Sequence, residues 1–249
     1  MVQAGDALVA GGGSEFARGG RLQFGASTET DGGLGLSYYS RMTSYNGGAG
    51  EEGLQWNRVS MSMNGISVDL GNANGAGQST ARHTTGYIGV DNGSVGAAAG
   101  LADNRMTGAH ADGGDNIVVK YSAGMITAAV SAELDGTGNT EFGVRYSDNG
   151  LTVGYAANNA SAWQALVSYS FGDVTVAAGA NDADTTTGSI SYNVGGGLTV
   201  TAIGASRTAG DSYGLDVSYD LGGGATFAAQ FVENAAGDKG AAAGVVFNF

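Results

Sequence analysis

The side chains able to do polar chemistry are unevenly placed along this 249-residue chain. Ten basic residues stand against 23 acids, and four of them, Arg18, Arg21, Arg41 and Arg58, fall in the first quarter of the sequence. A glycine-rich polar stretch follows at 72–114, carrying Asp91, Asp103, Asp112 and both histidines, His83 and His110, with Asp115 just beyond it. Arginines on one surface and carboxylates on a facing segment would set up a transverse field across a narrow aqueous gap, orienting dipolar solutes and admitting small ions. That is binding and steering chemistry, with no covalent step.

The patterns of covalent catalysis are weak by comparison. Serines, aspartates and two histidines are available, yet no G-x-S-x-G elbow places a nucleophile next to a base. The histidines have no carboxylates at metal-ligand spacing. Asp112-Gly113-Gly114-Asp115 offers oxygen ligands that could hold calcium, as does Asp91-Asn92, although solvated turns explain the same residues. A calcium-binding β-helix is excluded, because Asp31-Gly32-Gly33-Leu34-Gly35 starts no nine-residue repeat. The net charge of −13 opposes nucleic-acid binding. No required cofactor is expected, and the chain is not expected to be an enzyme.

The elements that must position the charged residues are strands. Apolar residues alternate with small or polar ones in short segments that continue to the last residue. Ile117, Val119 and Tyr121 form one such face; Phe142, Val144 and Tyr146 form another, and Tyr213, Leu215, Val217 and Tyr219 a third. About sixteen segments are expected, near 2–11, 18–29, 34–43, 54–63, 65–71, 115–122, 125–134, 139–147, 150–157, 161–170, 173–181, 186–193, 197–206, 211–220, 224–233 and 240–249. Short turns such as Ser147-Asp148-Asn149-Gly150 alternate with longer connections such as Asn234-Ala235-Ala236-Gly237-Asp238.

No segment is apolar for long enough to form a membrane-spanning helix, and the first residues do not read as a signal peptide. Lipid accepts no hydrogen bonds, so a strand-built membrane protein must close into a barrel with its apolar alternate residues outward. Sixteen strands enclose a lumen too wide for side chains to fill. The expected fold is therefore all-β: a sixteen-stranded antiparallel transmembrane β-barrel over 1–249 as a single domain, with the long third loop, 72–114, folded into the lumen. Parity then turns Arg21, Arg41, Arg58, Lys120 and Arg145 inward as a basic wall, opposite the loop acids Asp91, Asp103 and Asp112. A soluble, secreted β-rich binding or adhesion protein shares the alternation, but the Gly/Ser/Thr-rich second face provides no large-residue core. A barrel of another kind in the same membrane is the remaining alternative.

Several segments, in order, carry a likeness. They are Val2-Gln3-Ala4-Gly5-Asp6-Ala7, Thr28-Glu29-Thr30-Asp31-Gly32-Gly33-Leu34, Asn64-Gly65-Ile66-Ser67-Val68-Asp69-Leu70-Gly71-Asn72 and Tyr121-Ser122-Ala123-Gly124. Ser218-Tyr219-Asp220-Leu221-Gly222-Gly223-Gly224 and the closing Val245-Val246-Phe247-Asn248-Phe249 complete the set. Over nearly its whole length the chain resembles the sixteen-stranded trimeric general porins of photosynthetic purple bacteria and other alphaproteobacteria. The resemblance implies a passive diffusion channel for small hydrophilic solutes and ions in the bacterial outer membrane. It also implies a homotrimer in contact with outer-membrane lipid, a third loop forming the eyelet, and a terminal aromatic, Phe249, read by the barrel-insertion machinery. By position Arg21 and Arg41 match the family's basic pore wall, whereas Arg58 is placed by parity alone. The chain departs from the family in lacking proline and in carrying few acids in its third loop.

Overall fold

The computed structural model describes residues 2–9, 13–45, 55–84, 101, 103–110, 115–134 and 138–248, with the backbone alone described for 2–9, 13–21, 43–45 and 55. The first strands are β1 (Val2–Val9), β2 (Gly13–Glu29), β3 (Gly35–Tyr45), β4 (Gln55–Met63) and β5 (Ile66–Asn72). A short helix, α1 (Ala76–Thr80), lies in the connection from β5 to β6 (Asp115–Ala123). The next strands are β7 (Ile126–Glu133), β8 (Thr140–Asp148), β9 (Leu151–Asn158), β10 (Trp163–Phe171) and β11 (Val174–Asn181). The last are β12 (Thr186–Gly195), β13 (Leu198–Arg207), β14 (Gly210–Gly222), β15 (Ala225–Glu233) and β16 (Lys239–Phe247). Each strand pairs antiparallel with its neighbours, and β1 pairs with β16 from Val2↔Phe247 to Leu8↔Ala241, closing the barrel.

The strands form where alternation is strongest, and the register keeps that alternation in phase around the sheet. Tyr146, Val153 and Val167 come into line across β8, β9 and β10, and each is exposed on the outside. With lipid there instead of water, this exposure is the outer apolar band. Towards the short-turn rim the band ends in Tyr121, Tyr146, Tyr169, Tyr192 and Tyr219, all outward, where an apolar ring with a polar tip suits the membrane–water boundary. A nine-residue strand such as β10, rising about 3.3 Å per residue and tilted roughly 40°, spans on the order of 23 Å, close to the thickness of a lipid-facing band.

Turn chemistry fixes which rim is which. Asn64-Gly65 and Asn149-Gly150 occupy the left-handed region at both positions (φ 50° and 80°; 45° and 83°), the two-residue turn that matches strand twist. Most connections at the other rim are longer, the longest joining β5 to β6. Two details differ from the sequence expectation. Strand β2 starts at Gly13 rather than near 18, because its ladder with β1 runs on to Val9↔Gly13. Helix α1 was not anticipated: five residues carry no helical period, and its stability comes from packing against β7, β8 and β9.

The two faces predict opposite tolerances to charge. Val144→Arg, on the lipid face, should lower stability by about 2–4 kcal/mol, whereas Ser168→Arg, on the inner parity of β10, should change it far less. Urea unfolding in lipid vesicles, followed by tryptophan fluorescence, measures both; equal losses would contradict the assignment of faces.

Candidate functional site

The described part of the β5–β6 connection turns inward and lies along the inner wall. Its outgoing limb, 73–84, crosses β6 to β12, Leu101 reaches β13 to β16, and the return limb, 103–110, runs back from β11 to β7. Two apolar contacts hold it. Ala81 and Met106 pack with Ala156 and Ala162, and Leu101 packs with Ile203, Ala205, Val232 and Ala242. The wall is notched to receive the helix: a Cβ added at Gly143 would stand 2.1 Å from Thr80 Oγ1, and one at Gly154 2.2 Å from the Thr80 carbonyl oxygen. Only glycine allows this approach.

Hydrogen bonds complete the docking. Glu141, 1% exposed, accepts the Gly77 N–H at 2.9 Å on one carboxylate oxygen and the His110 N–H at 2.6 Å on the other, joining both limbs to β8. The Ala76 N–H donates to Ser131 Oγ at 2.8 Å, and His110 Nδ1 lies 3.1 Å from the same oxygen. Gln164 donates to the Gly77 carbonyl at 3.0 Å and accepts from the Met106 N–H at 3.1 Å. Asn104 donates to the carbonyls of Ala81 and Ala165, and its own oxygen accepts the His83 N–H.

Two asparagines, at equivalent strand ends, each serve twice. Asn158 accepts the N–H groups of Ala160 and Ala162 within its turn and donates to the Thr107 carbonyl. Asn181 accepts those of Ala183 and Thr185 and donates to the Arg105 carbonyl. Beside it, Asp182 accepts the N–H groups of Thr107 and Trp163. Partial burial pushes the Asp182 pKa upward, but these hydrogen bonds outweigh it and hold the carboxyl below its ordinary range. His83 sits between Thr187 Oγ1 (2.7 Å) and Ser189 Oγ (3.0 Å), and burial lowers its pKa, so it is neutral at pH 7.

On the opposite wall, β3 to β6, stand Arg41, Arg58 and Lys120. Arg41 lies 3.5 Å from the centre of the Trp56 ring and Arg58 5.5 Å from that of Tyr39, within cation–π range. Lys120 pairs with Asp69 at 2.7 Å. Arg145 shares the inner parity of β8 with Glu141 and Gly143, towards the short-turn rim. Arg21 is described in backbone only, paired with Thr43. Asp103 lies within the loop, bound by Arg82 at 2.6 Å and by Arg105 at 3.0 Å. Asp91, Asp112 and Phe249 fall outside the described residues. Asp115 ends the loop opposite Asn72, and among the described residues no group of three acids or histidines could hold a metal ion.

Sequence reasoning missed Glu141, Gln164, Asn158, Asn181, Asp182 and the loop arginines Arg82 and Arg105. The first four share a detectable signal: each is a polar residue of inner parity at the long-loop end of its strand, where serine or glycine would suffice for a merely wetted wall. Replacing Glu141 by Ala leaves two buried loop N–H groups without their acceptor, at about 1–3 kcal/mol each. Hydrogen exchange at 76–84 and 103–110 should then accelerate roughly tenfold or more relative to the strands; unchanged exchange would contradict the anchoring role.

A family model described as Gram-negative porin matches residues 2–248. Solved structures of the same shape include a variant of the Rh. blastica porin with three substitutions, 20% identical, TM-score 0.82, the match covering 100% of this chain and 98% of that one. A triple mutant of the Rhodopseudomonas blastica porin, 18% identical, superposes with a TM-score of 0.79 over 100% of this chain and 99% of its own. No curated protein sequence matches. With a closed sixteen-stranded barrel, an apolar outer band and an inward-docked third loop, the chain belongs to the Gram-negative porin family: it is an outer-membrane diffusion channel for small hydrophilic solutes and ions, not an enzyme.

Proposed function

We propose that solutes cross this porin between the docked third loop and the basic wall, and that the wall sets charge preference at the narrowest point. The observation that carries the reading is the placement of the loop against the wall from β7 to β16, opposite Arg41, Arg58 and Lys120 on β3 to β6. Arg21 on β2 extends the same wall, and Arg145 on β8 adds a further inward charge towards the short-turn rim. Of the loop acids in this reading, Asp103 already shares its charge with Arg82 and Arg105, and Asp91 and Asp112, outside the described residues, are proposed to face the same wall. The field at the passage is therefore positive locally, although the chain as a whole carries −13.

The working unit in this proposal is a homotrimer of single-domain barrels embedded in outer-membrane lipid, each with 72–114 as its constricting loop. Phe249 is the terminal aromatic presented to the barrel-insertion machinery. Calcium is no requirement for conduction; Asp112 and Asp115 are the residues that would hold it.

The zero-current potential across a potassium chloride gradient tests the charge assignment. The combined change Arg41→Gln and Arg58→Gln should raise the cation-to-anion permeability ratio several-fold, because the screened field of two charges is removed from the narrowest water path. An unchanged ratio would place the selectivity elsewhere. The mass of the detergent-solubilised complex tests the trimer; a monomer mass would refute it.

A further inference from the structure

The wall that receives the loop carries a carboxylate that no base answers. Asp216 stands on the inner parity of β14, two residues from Gly214, where a Cβ would stand 2.8 Å from Leu101 Cδ1. It is partly exposed, on the short-turn side of that seat. Arg82 and Arg105 bind Asp103, Lys120 binds Asp69 and Lys239 binds Glu233. Arg41 and Arg58 lie over aromatic rings on β4 and β3. In the closed ring, β2 with Arg18 and Arg21 is four strands from β14, and β8 with Arg145 is six, while Arg207 pairs with Gly210 at the far end of β14. Loop residues 85–100 contain no lysine or arginine. Neutral oxygens gather beside Asp216 instead. One register line crosses four strands, Ser191↔Thr201↔Asp216↔Gln230. Ser191 Oγ and Thr201 Oγ1 lie 2.8 Å apart, and Gln230 Nε2 donates to Asp216 Oδ1 at 2.7 Å. Gln230 is 0% exposed, yet its Oε1 takes no hydrogen bond, and a buried amide oxygen left in this way is destabilising until a donor reaches it.

We infer that Asp216, Thr201 and Gln230 form a binding subsite for small cations that donate hydrogen bonds, primary ammonium ions being the simplest class. An ammonium group has three N–H donors and no acceptor. The row offers it a carboxylate, the hydroxyl directly opposite and the orphaned amide oxygen. Side chains directly opposite on a ladder have Cβ atoms about 4.5–5.5 Å apart, so one nitrogen can reach both Asp216 and Thr201. The two ends of the Gln230 amide lie side by side, which puts its oxygen next to the carboxylate that its nitrogen binds. One positive charge balances one carboxylate, and a hydrogen bond between ionised partners is about twice as strong as a neutral one. A divalent metal would need more carboxylates, and among the described residues none gather here. The subsite does not depend on the path proposed along the basic wall, because it faces the lumen from the other side. Ammonium solutes would dwell there while cations of equal size without N–H donors pass freely.

The test is block of single-channel potassium chloride current by two isomeric cations of equal charge and similar compact shape. One is tert-butylammonium, which carries N–H donors; the other is tetramethylammonium, which has none. The first should half-block at a concentration about tenfold below the second. Asp216→Asn keeps an acceptor for Gln230 Nε2 but removes the charge, and should bring the two concentrations together. Thr201→Val keeps the charge and should narrow the gap to about threefold. Asp220→Asn removes a charge from the exposed end of the same strand and should leave the gap as it was. Equal block by the two cations in the unaltered channel overturns the inference, as does a gap that survives Asp216→Asn, or one that Asp220→Asn closes to the same extent. Those results leave the channel itself intact; protein that folds in detergent but passes no potassium chloride current overturns the channel, and the subsite with it.

Discussion

The closure of the sheet by β1 and β16 is the constraint on which everything else depends. In hydrocarbon no water relieves an unpaired backbone group, so an open edge would leave a row of N–H and C=O groups unsatisfied. Closure satisfies them and fixes the two-residue alternation around the whole wall. Outward positions within the lipid band are then mostly apolar or small and inward positions are free to be polar, which is why Glu141 and Phe142 can be neighbours in sequence and yet face a buried hydrogen-bond network and the membrane respectively.

The same closure creates a lumen that side chains alone do not fill, and the third loop occupies part of it. Irregular backbone at membrane depth is tolerated only where protein or water meets its polar groups. Here Glu141, Ser131, Gln164, Asn158 and Asn181 do so, together with glycine notches that let the loop approach the wall. The loop is thereby committed to one side, and in the proposed reading solutes pass along the wall that carries the stacked arginines.

The strands and their faces were legible in the sequence, since alternation, Asn-Gly turns and an apolar outer row are local signals; the inner parity of Arg41 and Arg58 followed from Tyr38 and Val59 beside them. The docking was not legible. Gln164 meets Gly77 across 87 positions, and α1 has no helical period to announce it, because its partners lie on β7 to β9. The start of β2 was placed late for a related reason: 13–17 lack strong alternation and are strand by virtue of pairing with β1. The arginine stacks were equally hidden, since Trp56 reaches Arg41 only through a bulge that shifts the register.

The most direct test of this account is the unitary conductance of the detergent-purified protein in a planar bilayer. The account predicts discrete, long-lived steps whose current rises in proportion to voltage, the behaviour of a permanently open aqueous passage beside a docked loop. Absence of steps from protein that retains its β-sheet circular dichroism in detergent would mean that the loop seals the lumen, and would contradict it.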